Sequence, residues 1–421
     1  MQGLFGPKIT QRKNNLPSTD STPQTGVRLV PRRILPVIVL SQFAGTSLWF
    51  AVNAVMPDLQ AAWGLPAGAV GSLTSAVQLG FVAGTLVFAL LLVADRFSPS
   101  RVFMVCALLG ALANAAVVLL SGQYALLLGL RFCVGFLLAG VYPVGMKIAA
   151  SWYRERLDAV MGVLIGALVL GTALPHGLRA LGVDASGLGA GGLAPWQVVI
   201  LMVSVLAALG GLATAFWVPD SPDLPRGTPI TPRALSVIWL DRRVRASVFG
   251  YFGHMWELYT FFVLLPLVLA TRLAGAQVSA AAFVVIAAGF VGCAGGGLWA
   301  RRIGSARVAG IQLGASGLCC LLAPLMLAAP LPVFLLWLLV WGVTVSGDSP
   351  QFSTLTAHNA PREIAGSVLT FANCMGFIIS VVSIELFVRA SQNHSLGSVL
   401  PWLALGPALG LWLFRPLIRR V

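Results

Sequence analysis

Residues 124–152 read YALLLGLRFCVGFLLAGVYPVGMKIAASW. The stretch is long enough to cross a bilayer as one helix. It carries two positive charges, Arg131 and Lys147, with 15 uncharged residues between them. On a helix those side chains stand roughly 24 Å apart along the axis. A cation near each end of an apolar span is costly unless it snorkels, finds a partner or faces water. Glycines at 129, 135, 140 and 145 permit close contact with neighbouring helices. The stretch therefore reads as a bundle helix lining a polar cavity, not as a lipid anchor.

Outward from it, the same pattern recurs along the chain. The 421 residues are 58% hydrophobic and 10% charged, with a mean hydropathy of +0.89. A soluble domain carries about 25% charged residues. Repeated apolar runs of about 20 residues mean an all-α polytopic membrane protein, whereas a barrel shows shorter alternating segments. The runs predict α1 over 34–57, α2 over 69–93, α3 over 102–120, α4 over 125–149, α5 over 159–180 and α6 over 196–217. They continue with α7 over 246–270, α8 over 278–300, α9 over 306–328, α10 over 331–355, α11 over 364–388 and α12 over 398–415.

These spans define the domains. Residues 1–33 are polar and basic without an apolar core, so they read as a flexible cytoplasmic tail rather than a signal peptide. Residues 34–217 form one six-helix bundle and 246–415 a second. Between them, 218–245 is a proline-rich cytoplasmic connector ending in Arg242, Arg243 and Arg245, with a short interfacial helix expected over 234–242. Residues 416–421 are a basic tail. The six cysteines, at 106, 133, 293, 319, 320 and 374, all fall in apolar segments and read as buried free thiols.

Twelve spans put both termini on one side. Of 27 Lys and Arg residues, 22 lie in the tails and loops on that side, and three (Arg179, Arg272 and Arg389) lie opposite. That split places both termini in the cytoplasm, in a membrane such as the bacterial inner membrane. The net charge of +14 is spread over these short loops, so it does not point to nucleic acid. A cysteine placed at Gly189 is expected to react with an impermeant maleimide added from outside, and one at Thr228 to stay unlabelled. The reverse result would invert the topology.

The two bundles look like repeats. Gly140-Val141-Tyr142-Pro143 in α4 aligns with Gly347-Asp348-Ser349-Pro350 in α10, and Arg156 then meets Glu363. Pro57 near the end of α1 matches Pro266 in α7, with Phe43 opposite Phe252. Parallel halves related across the membrane are a transporter arrangement.

Several motifs point the same way. Ala94-Asp95-Arg96 followed by Arg101, after α2, resembles the first cytoplasmic signature of the major facilitator superfamily of secondary transporters. The usual leading glycine falls at Leu91. A second-half copy, Gly297-Leu298-Trp299-Ala300-Arg301-Arg302-Ile303-Gly304, keeps the glycine but has Arg301 at the acidic position. Arg131 with Gly135 is similar to the α4 signature. The resemblance spans about 34–416. It implies two pseudo-symmetric six-helix halves working by alternating access, with α1, α4, α7 and α10 around a central cavity. The glycine-rich signatures of the nitrate/nitrite branch are absent.

Ionisable groups inside spans are functional candidates. Here they are Arg131, Lys147, His176, His254, Glu257, Asp348 and Glu385, the last near the external end of α11 and read as peripheral. His254 and Glu257 are i,i+3 on α7 and share a face. Glu257 lies roughly 16 Å into its helix, near the bilayer middle. α1 offers Gln42, Trp49 and Asn53; Trp256 and Tyr259 add aromatic surface. Together they suggest a cation patch for a small organic or inorganic anion, with Glu257 as the proton-sensitive group and His254 as a relay. Lys147 and Asp348 lie at similar depth on corresponding helices, so they are expected to approach each other as a gate when the cavity opens outward.

The expected function is proton-coupled uptake of an anionic solute by a monomer, with protons and membrane lipids as the other partners. The second reading is export of drugs or metabolites in exchange for protons. Metal uptake ranks lower, because Met146, Met161, His254, Met255 and Cys319-Cys320 show no ligand spacing. No cofactor or resident metal is expected. No Ser-His-Asp set, phosphate loop or metalloprotease spacing suggests an enzyme, and an ATP-driven pump would need a nucleotide domain.

Overall fold

The computed structural model describes residues 30–120, 122–153, 157–181, 192–222, 224 and 230–419. Most of the N-terminal tail, Arg156, Thr228 and residues 182–191 of the glycine-rich stretch, Gly189 among them, lie outside the described residues. Eleven helices within them are long and apolar enough to cross a membrane, and the first span is assembled from shorter pieces.

α1 begins at Ile34–Thr46, then unwinds through Ser47–Phe50 before Ala51–Ala54 and Met56–Trp63 resume it. It does not stop at Pro57 as expected. That proline is the second residue of the last piece, where its missing N–H loses no helical bond. The end comes at Gly64, whose φ of +63° suits glycine and whose N–H donates to the Gln60 carbonyl at 2.9 Å.

The remaining spans are α2 Ala69–Leu90, α3 Pro99–Leu119, α4 Tyr124–Trp152, α5 Leu157–Ala180 and α6 Pro195–Trp217. The second half has α7 Arg242–Ala270, α8 Ala276–Ile303, α9 Ser305–Ala328, α10 Leu331–Asn359, α11 Ala365–Asn393 and α12 Leu396–Ile418. The short connector helix is Arg233–Leu240. α7 starts four residues earlier than expected because Asp241 caps it. That carboxylate accepts from the N–H groups of Arg243 (2.8 Å) and Val244 (3.0 Å).

The two matching tetrapeptides mark matching breaks. α4 is interrupted between Leu138 and Tyr142, and α10 at Asp348. Pro143 and Pro350 open the resumed helices, and each ring excludes a helical bond to the carbonyl four residues back. At Pro350 that carbonyl is Ser346, which instead accepts from Cys293 Sγ of α8 at 3.2 Å.

Each half also has a tight crossing. Gly135 of α4 lies on the Val77 carbonyl of α2, where an added Cβ would come within 1.8 Å. Gly292 of α8 lies on the Val343 carbonyl of α10 at 1.9 Å by the same measure. Of the other α4 glycines, Gly140 packs on Cys106 and Gly145 on Gln42, whereas Gly129 faces open space. All six cysteines are free; five are buried and Cys133 is exposed. The halves join mainly along α2 against α11 and α5 against α8.

Candidate functional site

Where α1 unwinds, it projects two aromatic rings between the halves. Trp49 stacks 5.8 Å from Tyr259 of α7 and 5.4 Å from Phe377 of α11. Phe81 of α2 packs 4.9 Å from Trp49 and 4.7 Å from Phe377. Phe50 meets Phe262 of α7 edge-on at 6.0 Å. Rings at these spacings attract beyond their buried area, so the cluster is a cohesive partition shared by both halves. On one side lies a cavity of about 470 Å³ whose wall includes Asn53, His176 and Phe262. On the other lies one of about 190 Å³ touching Tyr142, Tyr251 and Asn373.

Arg131 holds this partition in place. It is fully buried, and its guanidinium donates to the carbonyls of Leu48 (3.1 Å) and Trp49 and to Asn114 Oδ1 of α3 (3.5 Å). Those carbonyls lack helical partners because α1 is unwound there, and a buried carbonyl must find one. A planar fork serves two carbonyls at once. Arg131 thus binds the backbone of α1 in this structure and lines neither of the two cavities.

Lys147 is also engaged. Its ammonium contacts Asp95 Oδ1 at 2.5 Å and donates to the Ala94 carbonyl at 2.9 Å. The loop after α2 is thereby tied to α4. Lys147 and Asp348 do not meet in this structure. Asp348 lies in the break of α10, with His254 Nδ1 2.7 Å from its Oδ1. Both are buried, and among the described residues His254 Nε2 has no hydrogen-bond partner. The His254 ring packs between Tyr251 (5.8 Å) and Phe352 (6.3 Å), which line the smaller cavity.

Glu257 points into the second half, not into the space between halves. Its carboxylate accepts from Trp341 Nε1 of α10 (2.6 Å) and from Ser316 Oγ (2.9 Å) and Cys320 Sγ (3.3 Å) of α9. His254 and Glu257 share a helix face, yet each has its own partners. Among the described residues neither Glu257 nor Asp348 has a lysine or arginine in ion-pair reach.

Asn53 lines the larger cavity and donates to Thr74 Oγ1 of α2 at 2.7 Å. His176 lines it too, 2% exposed, and among the described residues its Nε2 has no hydrogen-bond partner. Tyr259 belongs to the partition. Trp256 instead packs against Phe387 of α11, 5.8 Å away, and beside Gly406 of α12. Glu385 ties the halves: Ser75 Oγ of α2 donates to it at 2.9 Å. Sequence reading missed Phe50, Phe81, Phe262 and Phe377, since with 22 phenylalanines nothing marks these four. It also missed the bond from Ser380 of α11 to Gln78 of α2 (2.7 Å), although an uncharged amide inside an apolar span was a usable signal.

The chain matches the family model of the Major Facilitator Superfamily over residues 38–384. Among solved structures it resembles the human organic anion transporter MFSD10 (TETRAN). That match has a TM-score of 0.66 and 17% identity, and covers 91% of this chain and 99% of that one. It also resembles the MFS proton:xylose symporter XylE bound to 6-bromo-6-deoxy-D-glucose. Here the TM-score is 0.68 and the identity 13%, covering 91% of this chain and 95% of that one. No curated protein matches. The twelve-span architecture, the paired breaks in α4 and α10 and the family match agree: the chain belongs to the Major Facilitator Superfamily of membrane transporters.

Proposed function

We propose that this transporter is proton-coupled and exchanges protons for a small organic solute, neutral or cationic, with an aromatic or otherwise apolar body. One observation carries the reading: Glu257 and Asp348 are fully buried, and among the described residues neither has a lysine or arginine in ion-pair reach. Burying a carboxylate away from any fixed cation is costly. A cation that comes and goes, either a proton or a positively charged solute, meets that cost. The rings of Trp49, Tyr259 and Phe377 offer stacking surface to a flat solute and π-faces to a cation.

Anion uptake by symport, ranked first on sequence, needs a cation free to hold the anion. Arg131 and Lys147 both have partners within the first half, which moves the balance to the exchange reading. The loop charge split supports cytoplasmic termini in a membrane such as the bacterial inner membrane, and each half completes its own bundle, which suits a working monomer.

A thermal-stabilisation screen of the purified protein tests the substrate class, using lipophilic cations, neutral aromatics and organic anions on both sides of neutral pH. A ligand at a hundred times its Kd stabilises by about 2.7 kcal/mol. Lipophilic cations and neutral aromatics are expected to stabilise most, and more at high pH, because proton and solute compete in exchange. Stabilisation by anions alone, growing stronger at low pH, would replace this reading with symport.

A further inference from the structure

We propose that the recess between the start of α7 and the end of α12 holds the headgroup of an anionic phospholipid, whose acyl chains run along the exposed face of α12. The recess shares no lining residue with the two cavities beside the aromatic partition, and the assignment does not depend on which solute is transported.

The recess, about 220 Å³, is lined by Asp241, Arg242 and Arg243 on one side and by Pro416 and Leu417 on the other. Its chemistry is split, with charge at α7 and hydrocarbon at α12. Arg242 and Arg243 are exposed, and among the described residues neither forms an ion pair. Asp241, the acid on that wall, is engaged as the cap of α7 through the N–H groups of Arg243 and Val244. Arg245 turns back and donates to the Trp239 carbonyl at 3.0 Å, which fixes the junction of the connector helix with α7. Two guanidinium groups against one engaged carboxylate leave an excess of positive charge. A guanidinium also presents paired donors that match a phosphate.

The hydrocarbon beside the charge distinguishes a lipid from a free anion. Leu405, Leu409 and Trp412 of α12 are exposed. With Pro416 they stand at i, i+4, i+7 and i+11, which is one face of a helix. The apolar stripe of a membrane-spanning helix therefore leads into the recess wall. An inorganic phosphate gains nothing from that stripe, whereas a phospholipid packs its chains on it. Just before the recess, the connector helix ends in the exposed Trp239 and Leu240. The Trp239 ring meets Phe249 of α7 edge-on at 5.3 Å. A tryptophan so placed suits the headgroup level of a bilayer. Basic groups next to apolar surface at the edge of a membrane are the chemistry that recognises anionic lipid.

The test counts bound phosphatidylglycerol and phosphatidylcholine on the purified full chain in detergent by native mass spectrometry. Wild type is compared with two double variants. Arg242→Gln with Arg243→Gln removes the recess charges and keeps the backbone N–H that Asp241 caps. Arg301→Gln with Arg302→Gln removes the same charge from the exposed end of α8. An arginine near a headgroup contributes about fivefold, so losing both in the recess is expected to weaken phosphatidylglycerol about thirtyfold. The α8 variant is expected to change it less than about threefold, and phosphatidylcholine to respond little to either. A second measurement keeps the arginines: Leu417→Cys, made with Cys133→Ala to remove the exposed native thiol, is labelled by a maleimide. Phosphatidylglycerol is expected to slow that labelling several-fold, and inorganic phosphate at the same concentration to leave it unchanged. Equal affinity for the two lipids, equal losses in the two double variants, or protection of position 417 by phosphate as strong as by phosphatidylglycerol would overturn the proposal.

Discussion

Arg131→Lys is expected to lose transport by at least about tenfold, although the net charge is unchanged. The guanidinium serves the Leu48 and Trp49 carbonyls and Asn114 together. An ammonium is a single point on a flexible stem and cannot reproduce that fork. Each buried carbonyl left without a donor costs about 1–3 kcal/mol, and 1.4 kcal/mol is already a tenfold change in an equilibrium. The cost falls where α1 is unwound and where Trp49 enters the aromatic partition, so the ring shifts before the bundle fails. Vesicle transport and the thermal midpoint measured together separate the effects: a drop of a few degrees with a large transport loss is expected. Wild-type transport in Arg131→Lys would show that the strut is dispensable. Arg131→Met, which strands both carbonyls and Asn114, is expected to be the less stable of the two.

The spans were legible because apolar runs of membrane length are separated by short charged loops. The breaks in α4 and α10 were also written locally, in Pro143 and Pro350. The break in α1 was not. Ser47–Phe50 holds no proline or glycine, and its conformation is held by a distant residue, Arg131. The same limit applied to the site. Charges in apolar spans announce themselves, and Arg131, Glu257, His254 and Asp348 all proved to be buried polar centres. Their partners depend on how each helix is rotated about its axis. Lys147 and Asp348 share a depth, but Lys147 faces the loop after α2 while Asp348 faces α7. Depth follows from counting residues along a helix, whereas rotation is set by packing such as the Gly135 and Gly292 crossings.

Glu257→Gln is expected to separate proton coupling from solute movement. The surroundings make the change mild for the fold. The amide oxygen can keep accepting from Trp341 Nε1 and Cys320 Sγ, which both reach Oε1 of the carboxylate. The amide N–H₂ can donate to Ser316 Oγ, a hydroxyl that both accepts and donates, while Ser316 keeps its bond to the Leu313 carbonyl. What disappears is the ability to take up and release a proton. Linkage then makes two demands. If solute and proton compete at this centre, each weakens the other's binding by the same factor. Removing the proton's site therefore flattens the pH dependence of solute affinity as well as the response to a proton gradient. Counterflow, which needs only solute exchange, is expected to persist within a few-fold of wild type. Accumulation driven by a proton gradient is expected to fall at least about tenfold, with voltage clamped and both assays run in the same vesicles. Glu257→Leu provides the contrast, since it strands the indole N–H of Trp341 and should depress both activities together. Should Glu257→Gln still respond to the gradient as wild type does, the coupling centre moves to the His254–Asp348 pair one turn away. The His254 ring of that pair lies against Tyr251 and Phe352, which line the smaller cavity.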